Sequence, residues 1–250
     1  MMPPTTTPTP SPPTLSKSKY LAGCQCLRRV WFSCRAPELG AEPDAAKQAI
    51  FDQGHEIGRR AHALFPGGVL VSQEAWQHGE AIERTRALLA DTSVPAIFEA
   101  AFEHAGVRIR ADVIERLPGG RYGLREVKAS TEVKPVHIDD CAVQQLVLEG
   151  CGLRIASIEL VHVNRAYVRG AGPVDWQAFF ARTDLTRKVA SALPSVRERV
   201  PRFHAAIREA EAPAIEPSGH CFDPYDCEFW EHCTRGKPAD WVFHLPRIGK

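Results

Sequence analysis

Asp112 and the triplet Glu126-Val127-Lys128 are the residues of this chain best suited to chemistry. They fall on neighbouring strands of a predicted hairpin. Side chains alternate along a strand, so Glu126 and Lys128 face the same way while Val127 packs behind them. Magnesium and manganese prefer hard oxygen ligands, and two carboxylates leave room for substrate phosphate oxygens. Such an ion polarises a phosphoryl group and acidifies a bound water, which becomes the nucleophile. A lysine beside it orients that water or offsets charge in the transition state. The chemistry expected is metal-assisted hydrolysis of a phosphodiester. The bland alternative is a solvated hairpin with ordinary surface charge.

The surrounding elements can hold such a hairpin in place. Residues 46–65 have helical spacing, with Ile50, Ile57 and Ala61 on one side, and residues 80–90 read as a second helix. Residues 96–102, 107–114 and 122–127 read as strands, separated by the turn signals His104-Ala105-Gly106 and Pro118-Gly119-Gly120. A helix over 139–148 and a strand over 155–163 follow. A three-strand meander continued through a helical crossover gives an α/β fold, a mixed sheet flanked by helices. Ahead of it, Ser16 is a suitable N-cap for a helix over 17–32. Behind it, 175–182 and 187–211 are predicted helices, the second broken or restarted at Pro194 and Pro201.

Of eight cysteines, Cys221, Cys227 and Cys233 stand at six-residue intervals in a loop with proline and aromatics. Three such thiols point to metal ligation one ligand short, because structural zinc and four-iron clusters both take four. Cys24 and Cys26 offer the fourth. On a helix they point about 200° apart, so only one can face the site. Zinc would add His220 or His232 as candidate ligands. Disulfides are disfavoured because nothing marks the chain as secreted. Cys141 and Cys151 read as small buried apolar residues.

The order of elements, together with Asp112 and Glu126-x-Lys128, resembles the PD-(D/E)XK (restriction-endonuclease-like) nuclease superfamily in its RecB-like branch. Gly58-Arg59-Arg60-Ala61-His62 matches the Gly-x-x-x-His of that branch's first helix, and Gln144 matches the glutamine that opens its Gln-x-x-x-Tyr motif. Ala111 stands where the family has proline, and Leu148 where it has tyrosine. The resemblance implies a Mg2+ or Mn2+ held by His62, Asp112, Glu126 and the Val127 carbonyl. It implies water positioned by Lys128, with Gln144 steadying Lys128 or the substrate. His55, seven residues before His62 on roughly the same face, is a competitor. Glu99 is a further acid that can approach the metal, a strand-edge carboxylate being the plainer expectation.

RecB-like nucleases with an iron–sulfur cluster carry one cysteine before the core and three after it. The CRISPR-adaptation nucleases and the B subunit of the Gram-positive recombination helicase–nuclease are examples. The match here is Cys26 with Cys221, Cys227 and Cys233. It implies a structural 4Fe–4S cluster that clamps both termini, with Zn2+ as the alternative. Gln25-Cys26-Leu27-Arg28-Arg29-Val30-Trp31 is similar to the family's Cys-Pro-Arg/Lys-x-aromatic segment, with Leu27 in the proline's place. The six-residue intervals depart from the commonest family pattern, in which two of the three lie only three apart. Residues 15–23, 51–58 and 65–68 also resemble the N-terminal half of an uncharacterised bacterial family. Its members often continue beyond a segment like His244-Leu245-Pro246-Arg247-Ile248, so a short or a truncated member is expected.

On this basis 1–14 is expected to be a disordered tail and 15–45 a helical segment with one cluster cysteine. Residues 46–166 would form the nuclease core, and 167–250 C-terminal helices with the remaining cysteines. A hydrophobic content of 44% over 250 residues can bury one core with a satellite. The net charge of +1 excludes the global basic field of a nucleic-acid-binding module, so any basic groove must be local. Lys17, Lys19, Arg28, Arg29, Arg108, Arg110 and Lys134 are candidates to line it. No apolar run approaches the ~18 residues of a membrane span. With no signal-peptide core either, the expected location is the cytoplasm.

The expected activity is exonuclease action on DNA single strands or ends, in a DNA repair, CRISPR-adaptation or phage-defence complex with protein partners. The competing expectation is a non-catalytic, cluster-bearing nucleic-acid-binding or assembly subunit that retains the fold. Ala111 and Leu148 favour the subunit; the intact Asp112, Glu126 and Lys128 oppose it.

Overall fold

One hydroxyl sets the entry of the chain. In the computed structural model, which describes residues 14–244, Ser16 Oγ accepts the Lys19 N–H at 3.3 Å and caps α1 (Lys17–Gln25). Leu15–Ser16 forms β1, a two-residue strand. The expected tail at 1–13 and the segment 245–250 lie outside the described residues.

The helix expected over 17–32 is two helices. Cys26 is extended, with φ −160° and ψ 129°, and divides α1 from α2 (Leu27–Arg35). Its N–H bonds the Ala22 carbonyl at 2.9 Å, closing one helix, and its carbonyl accepts the Val30 N–H at 3.1 Å, opening the next. Neither glycine nor proline marks this break, so helical spacing alone could not have shown it.

Asp44 then caps α3 (Ala45–Ala61) through the Lys47 N–H at 2.8 Å. Short β2 (Val69–Leu70) and α4 (His78–Ala90) lead into the meander of β3 (Ala96–His104), β4 (Val107–Leu117) and β5 (Arg121–Lys128). Gly119 and Gly120, at φ +74° and +64°, make the left-handed turn between β4 and β5 that other residues adopt at a cost. After it, α5 (Pro135–Gly150) crosses over to β6 (Ile155–Val163), which runs parallel to β5.

With β7 (Phe180–Asp184) at its far edge, the sheet has seven strands in the order β2-β3-β4-β5-β6-β7, with β1 parallel to β4 beside it. Here the structure corrects the sequence expectation. Residues 176–179 make one short turn, α6 (Trp176–Phe179), and Phe180–Asp184 is β7, antiparallel to β6. Phe180 is buried and the next residues alternate, which is strand burial rather than helix burial. The sheet therefore extends past residue 166, where the core was expected to end.

A second correction concerns α7 (Thr186–Arg208), which runs unbroken through Pro194 and Pro201. Val189, Leu193, Val196, Val200, Phe203 and Ile207 recur at three- and four-residue steps and are buried, while both prolines face outward. Burying each such side chain is worth about 1.5–3 kcal/mol. An interior proline costs ~3 kcal/mol. The apolar face outweighs two prolines.

Helices cover both faces. On one, α1, α5 and α7 pack on the sheet in the larger core with Tyr20, Leu148 and Phe203. On the other, Ala61 of α3 joins Phe65, Phe98, Val113, Val127 and Phe180 in a smaller core. The last helix, α8 (Trp230–Thr234), lies in the cysteine-bearing C-terminal segment. Among the described residues no helix is long and apolar enough to cross a membrane. Cys141 is buried as expected, but Cys151 is exposed, because it caps the outer end of α5.

Candidate functional site

Asp112, Glu126 and Lys128 meet where β4 and β5 part company. The last ladder pair toward this end is Val113 with Arg125. Beyond it, Asp112 Oδ2 accepts the Val127 N–H at 2.7 Å and replaces a strand bond with a side-chain one. A strand residue directs its N–H and C=O to the same side, so the Val127 carbonyl also faces the Asp112 side. Glu126 is completely buried. Its Oε1 accepts from Lys128 Nζ at 2.6 Å and from Lys17 Nζ at 2.9 Å, and its Oε2 from Gln144 Nε2 at 2.6 Å.

Sequence reasoning missed two members of this set. Asp140 accepts from Lys128 Nζ at 2.8 Å and from Gln144 Nε2 at 2.9 Å. Its four-residue offset from Gln144 on a helix puts both on one face, and that signal could have found it. Lys17 bonds Glu126 and stands 3.4 Å from Asp140 Oδ1. That contact spans 109 residues, and nothing local announces it. Gln144 steadies Glu126 and Asp140 rather than Lys128, and being fully buried it does not reach the cleft surface.

Above this network opens a cleft of about 680 Å³, bordered by Glu99, Asp112, Lys128, His55 and His62. The His62 ring lies flat on Phe98, with centroids 3.9 Å apart and planes 4° apart. Burial lowers its pKa, which favours the neutral imidazole that metals take. His55 borders the same cleft, so both expected histidines reach it.

Glu99 lies on an inner strand, not at an edge. The register from Phe98↔Val113 to Ala100↔Ala111 sets it opposite Asp112. Its φ is +54°, a left-handed conformation costly for a non-glycine residue, on the order of 1–3 kcal/mol. Arg110 compensates. Its guanidinium donates to the Glu99 carbonyl at 2.9 Å, to the Gln73 carbonyl and to the Glu74 carbonyl at 3.4 Å. Arg110 is thus a clamp on backbone carbonyls, not the strand-binding cation expected.

Charge in the site is strongly coupled. Burial, reinforced by the Glu126 charge, pushes the Asp112 carboxyl up to about 7. Burial would raise Glu126 as well, but Lys128 and Lys17 outweigh it and hold that carboxyl far below the ordinary range. Burial opposes the charge on Lys128, yet Glu126, Asp140 and Asp112 keep it firmly protonated. Burial also raises Glu99. Asp112 and Glu99 are therefore the carboxylates left without a cation of their own.

The expected basic groove is only partly present. Lys19 and Arg108 border a groove of about 540 Å³ that Lys17 shares with the main cleft, but Arg108 is paired with Glu103 at 2.8 Å. Lys134 borders a separate groove near Asp139. Arg28 and Arg29 serve another purpose. Arg28 donates to the Ile215 carbonyl at 3.2 Å and Arg29 pairs with Glu228 at 2.7 Å, so both bind α2 to the C-terminal segment.

That segment brings Cys221, Cys227 and Cys233 to Cys26 around one narrow cavity, which Phe32 and Phe229 also line. Burial raises the thiols of all three C-terminal cysteines, and negative charge on Cys26 would raise Cys221 and Cys233 further. Cys24 points elsewhere, its Sγ 3.6 Å from Arg199, where burial pushes it up to about 11. The eight cysteines are free thiols. His220 Nε2 lies 3.6 Å from Cys221 Sγ, while His232 packs edge-on against Phe32. Among the described residues no group of three or more His, Cys, Asp or Glu side chains stands in a geometry that could hold a metal ion.

No protein-family model matches this chain, and no curated protein matches it. Among solved structures, the crystal structure of SSO0001 is similar with a TM-score of 0.36 and 13% sequence identity, over 82% of this chain and 81% of that one.

Proposed function

We propose that this chain is a divalent-metal-dependent nuclease with the PD-(D/E)XK fold of the RecB-like branch, hydrolysing DNA phosphodiesters at single strands or ends. The observation that carries the proposal is the convergence of Asp112, Glu126 and Lys128 on one cleft, with Glu99 opposite Asp112. By type the oxygen donors suit a hard cation, although as placed they bond Lys17, Lys128, Gln144 and the Val127 N–H rather than stand in a ligating geometry. Asp112 and Glu99 stand opposite each other on neighbouring strands, and desolvation raises the pKa of both.

Asp112, Glu126 and the Val127 carbonyl would hold Mg2+ or Mn2+, with His62 beside them. The ion would supply Lewis acidity toward the phosphate and a lowered pKa for the attacking water. The chain's own residues do the rest. Lys128 stays protonated and uses two of its three donors on Glu126 and Asp140, leaving one for water or a phosphate oxygen. Gln144 holds Glu126 in place through Oε2. Lys19, in the groove that Lys17 shares with the cleft, offers the flanking positive charge that a nucleic-acid backbone seeks. Repair, CRISPR adaptation and phage defence all have use for such an activity.

The four cysteines around one cavity suit a structural 4Fe–4S cluster that clamps the termini. A single Zn2+ is the second candidate, since structural zinc also takes four thiolates. Iron, sulfide and zinc analysis of anaerobically purified protein separates them.

End-labelled single- and double-stranded DNA, incubated with Mn2+ or with EDTA, tests the activity. Metal-dependent cutting is expected from the wild type and not from Lys128→Ala, which should keep its fold and its cysteine-bound metal. Cutting unchanged in that variant would remove Lys128 from the chemistry. No cutting by wild-type protein carrying its cysteine-bound metal would favour a non-catalytic nucleic-acid-binding or assembly subunit. The complete burial of Glu126 under two lysines already leans that way.

A further inference from the structure

Lys17 stands in the centre of the carboxylate network although it belongs to neither strand of the hairpin. Its backbone is pinned on both sides. Leu15 is fully buried and pairs with Val107, and Ser16 caps the helix that Lys17 begins. From there Nζ bonds Glu126 Oε1 at 2.9 Å and approaches Asp140 Oδ1 at 3.4 Å. Its side chain is 22% exposed, so this is not a surface lysine in passing contact.

Four carboxylates, Glu99, Asp112, Glu126 and Asp140, surround two ammonium groups, Lys17 and Lys128. With all four carboxylates ionised, these six groups carry a formal −2, and Arg110 beside Glu99 adds a positive charge nearby. Without Lys17 that sum would be −3, and Lys128 alone would have to bridge Glu126 and Asp140. Both histidines of the cleft, His55 and His62, stand outside these bonds.

We infer that Lys17 is a second active-site lysine, a positioning residue carried in by α1, which joins Glu126 to Asp140 and lowers the negative charge of the cleft by one. By taking part of the charge of Glu126 it leaves Lys128 free to turn a donor toward the substrate. Its placement is independent of the nuclease activity proposed above, and only its effect on turnover rests on that activity.

The test compares Lys17→Met and Lys17→Arg with wild type in two readouts, with the cysteine-bound metal in place. The first is Mn2+ affinity by calorimetry. One more uncancelled negative charge a few ångströms away should tighten Mn2+ binding in Lys17→Met by roughly tenfold, once solvent screening is allowed for. Lys17→Arg should bind as wild type does. The second is cleavage. Lys17→Met should lower kcat about a hundredfold with little change in KM, as loss of a transition-state contribution does. Lys17→Arg should recover most of the rate.

A lysine of merely structural value would give the opposite metal result, with Mn2+ binding weakened as the site loosens, and that result overturns the inference. So does an unchanged Mn2+ affinity in Lys17→Met. If wild-type protein cuts no DNA, the nuclease proposal fails while the Mn2+ comparison still decides the place of Lys17.

Discussion

Asp112 is poised between two protonation states near neutral pH. Its carboxyl is pushed up to about 7 from 3.8, first by burial and then by the charge of Glu126. An acid with a raised folded-state pKa holds its proton more tightly folded than unfolded, so it favours folding at low pH. That contribution is lost as pH rises from about 4 to about 7. His137 works against it. Burial holds that imidazole down at about 4, so its contribution grows as pH rises toward 6.5. The two are separated by difference. In EDTA, the thermal midpoint of wild type relative to Asp112→Asn should fall between about pH 4 and pH 7 and stay level above. A flat difference across that range would mean that Asp112 is not buried with an uncompensated charge. Asp112, Glu126 and Lys128 were legible in the sequence because a strand's two-residue period is local. Asp140 left only a local trace, its four-residue offset from Gln144 on one helix face, and Lys17 left none, because it comes from the N-terminal helix, where only folding supplies the proximity.

Elements explain why Cys26 and not Cys24 reaches the other cysteines. The expectation that only one can face them holds, but for a different reason. The two do not sit on opposite sides of one helix, because Cys26 occupies an extended break between α1 and α2. The break turns its side chain toward Cys221, Cys227 and Cys233, while Cys24 stays on α1 against Arg199. Purified Cys26→Ala should therefore lose most of its cysteine-bound iron or zinc, and Cys24→Ala should retain it, by elemental analysis. Equal retention in both would return the fourth-ligand place to His220. Most other elements were legible: the strand over 155–163 is found at those residues, and the meander lengthens by a few residues. Two of the misjudged ones share a cause. β7 and the unbroken α7 are decided by what they bury against the sheet, which overrides helical spacing in one and two prolines in the other.

At the scale of the whole molecule, α1 joins the two candidate sites. It begins with Lys17 in the carboxylate network and is capped by Cys26 at the cysteines, about 13 Å along a helix of nine residues. The C-terminal segment reaches back over α1 and α2 through few bonds. Gln25 donates to the His220 and Tyr225 carbonyls at 2.8 Å, Arg29 pairs with Glu228, and the Trp31 indole donates to the Glu209 carbonyl at 3.1 Å. Beside these polar bonds, Phe32 packs against Phe229 and His232, and the cysteine-bound metal is what would lock the termini together. Metal binding to a site assembled only by folding contributes directly to folding free energy. Stripping that metal with a strong chelator should therefore raise hydrogen exchange in 17–35 and 215–234 together, as one cooperative unit. Exchange in β3 to β6, buried between two layers of helix, should change little. Because α1 carries Lys17, the same treatment followed by Mn2+ should restore less activity than in protein never stripped. Should the two terminal segments instead open separately, or the central strands open with them, the cysteines would not be the clasp that couples the termini to the cleft.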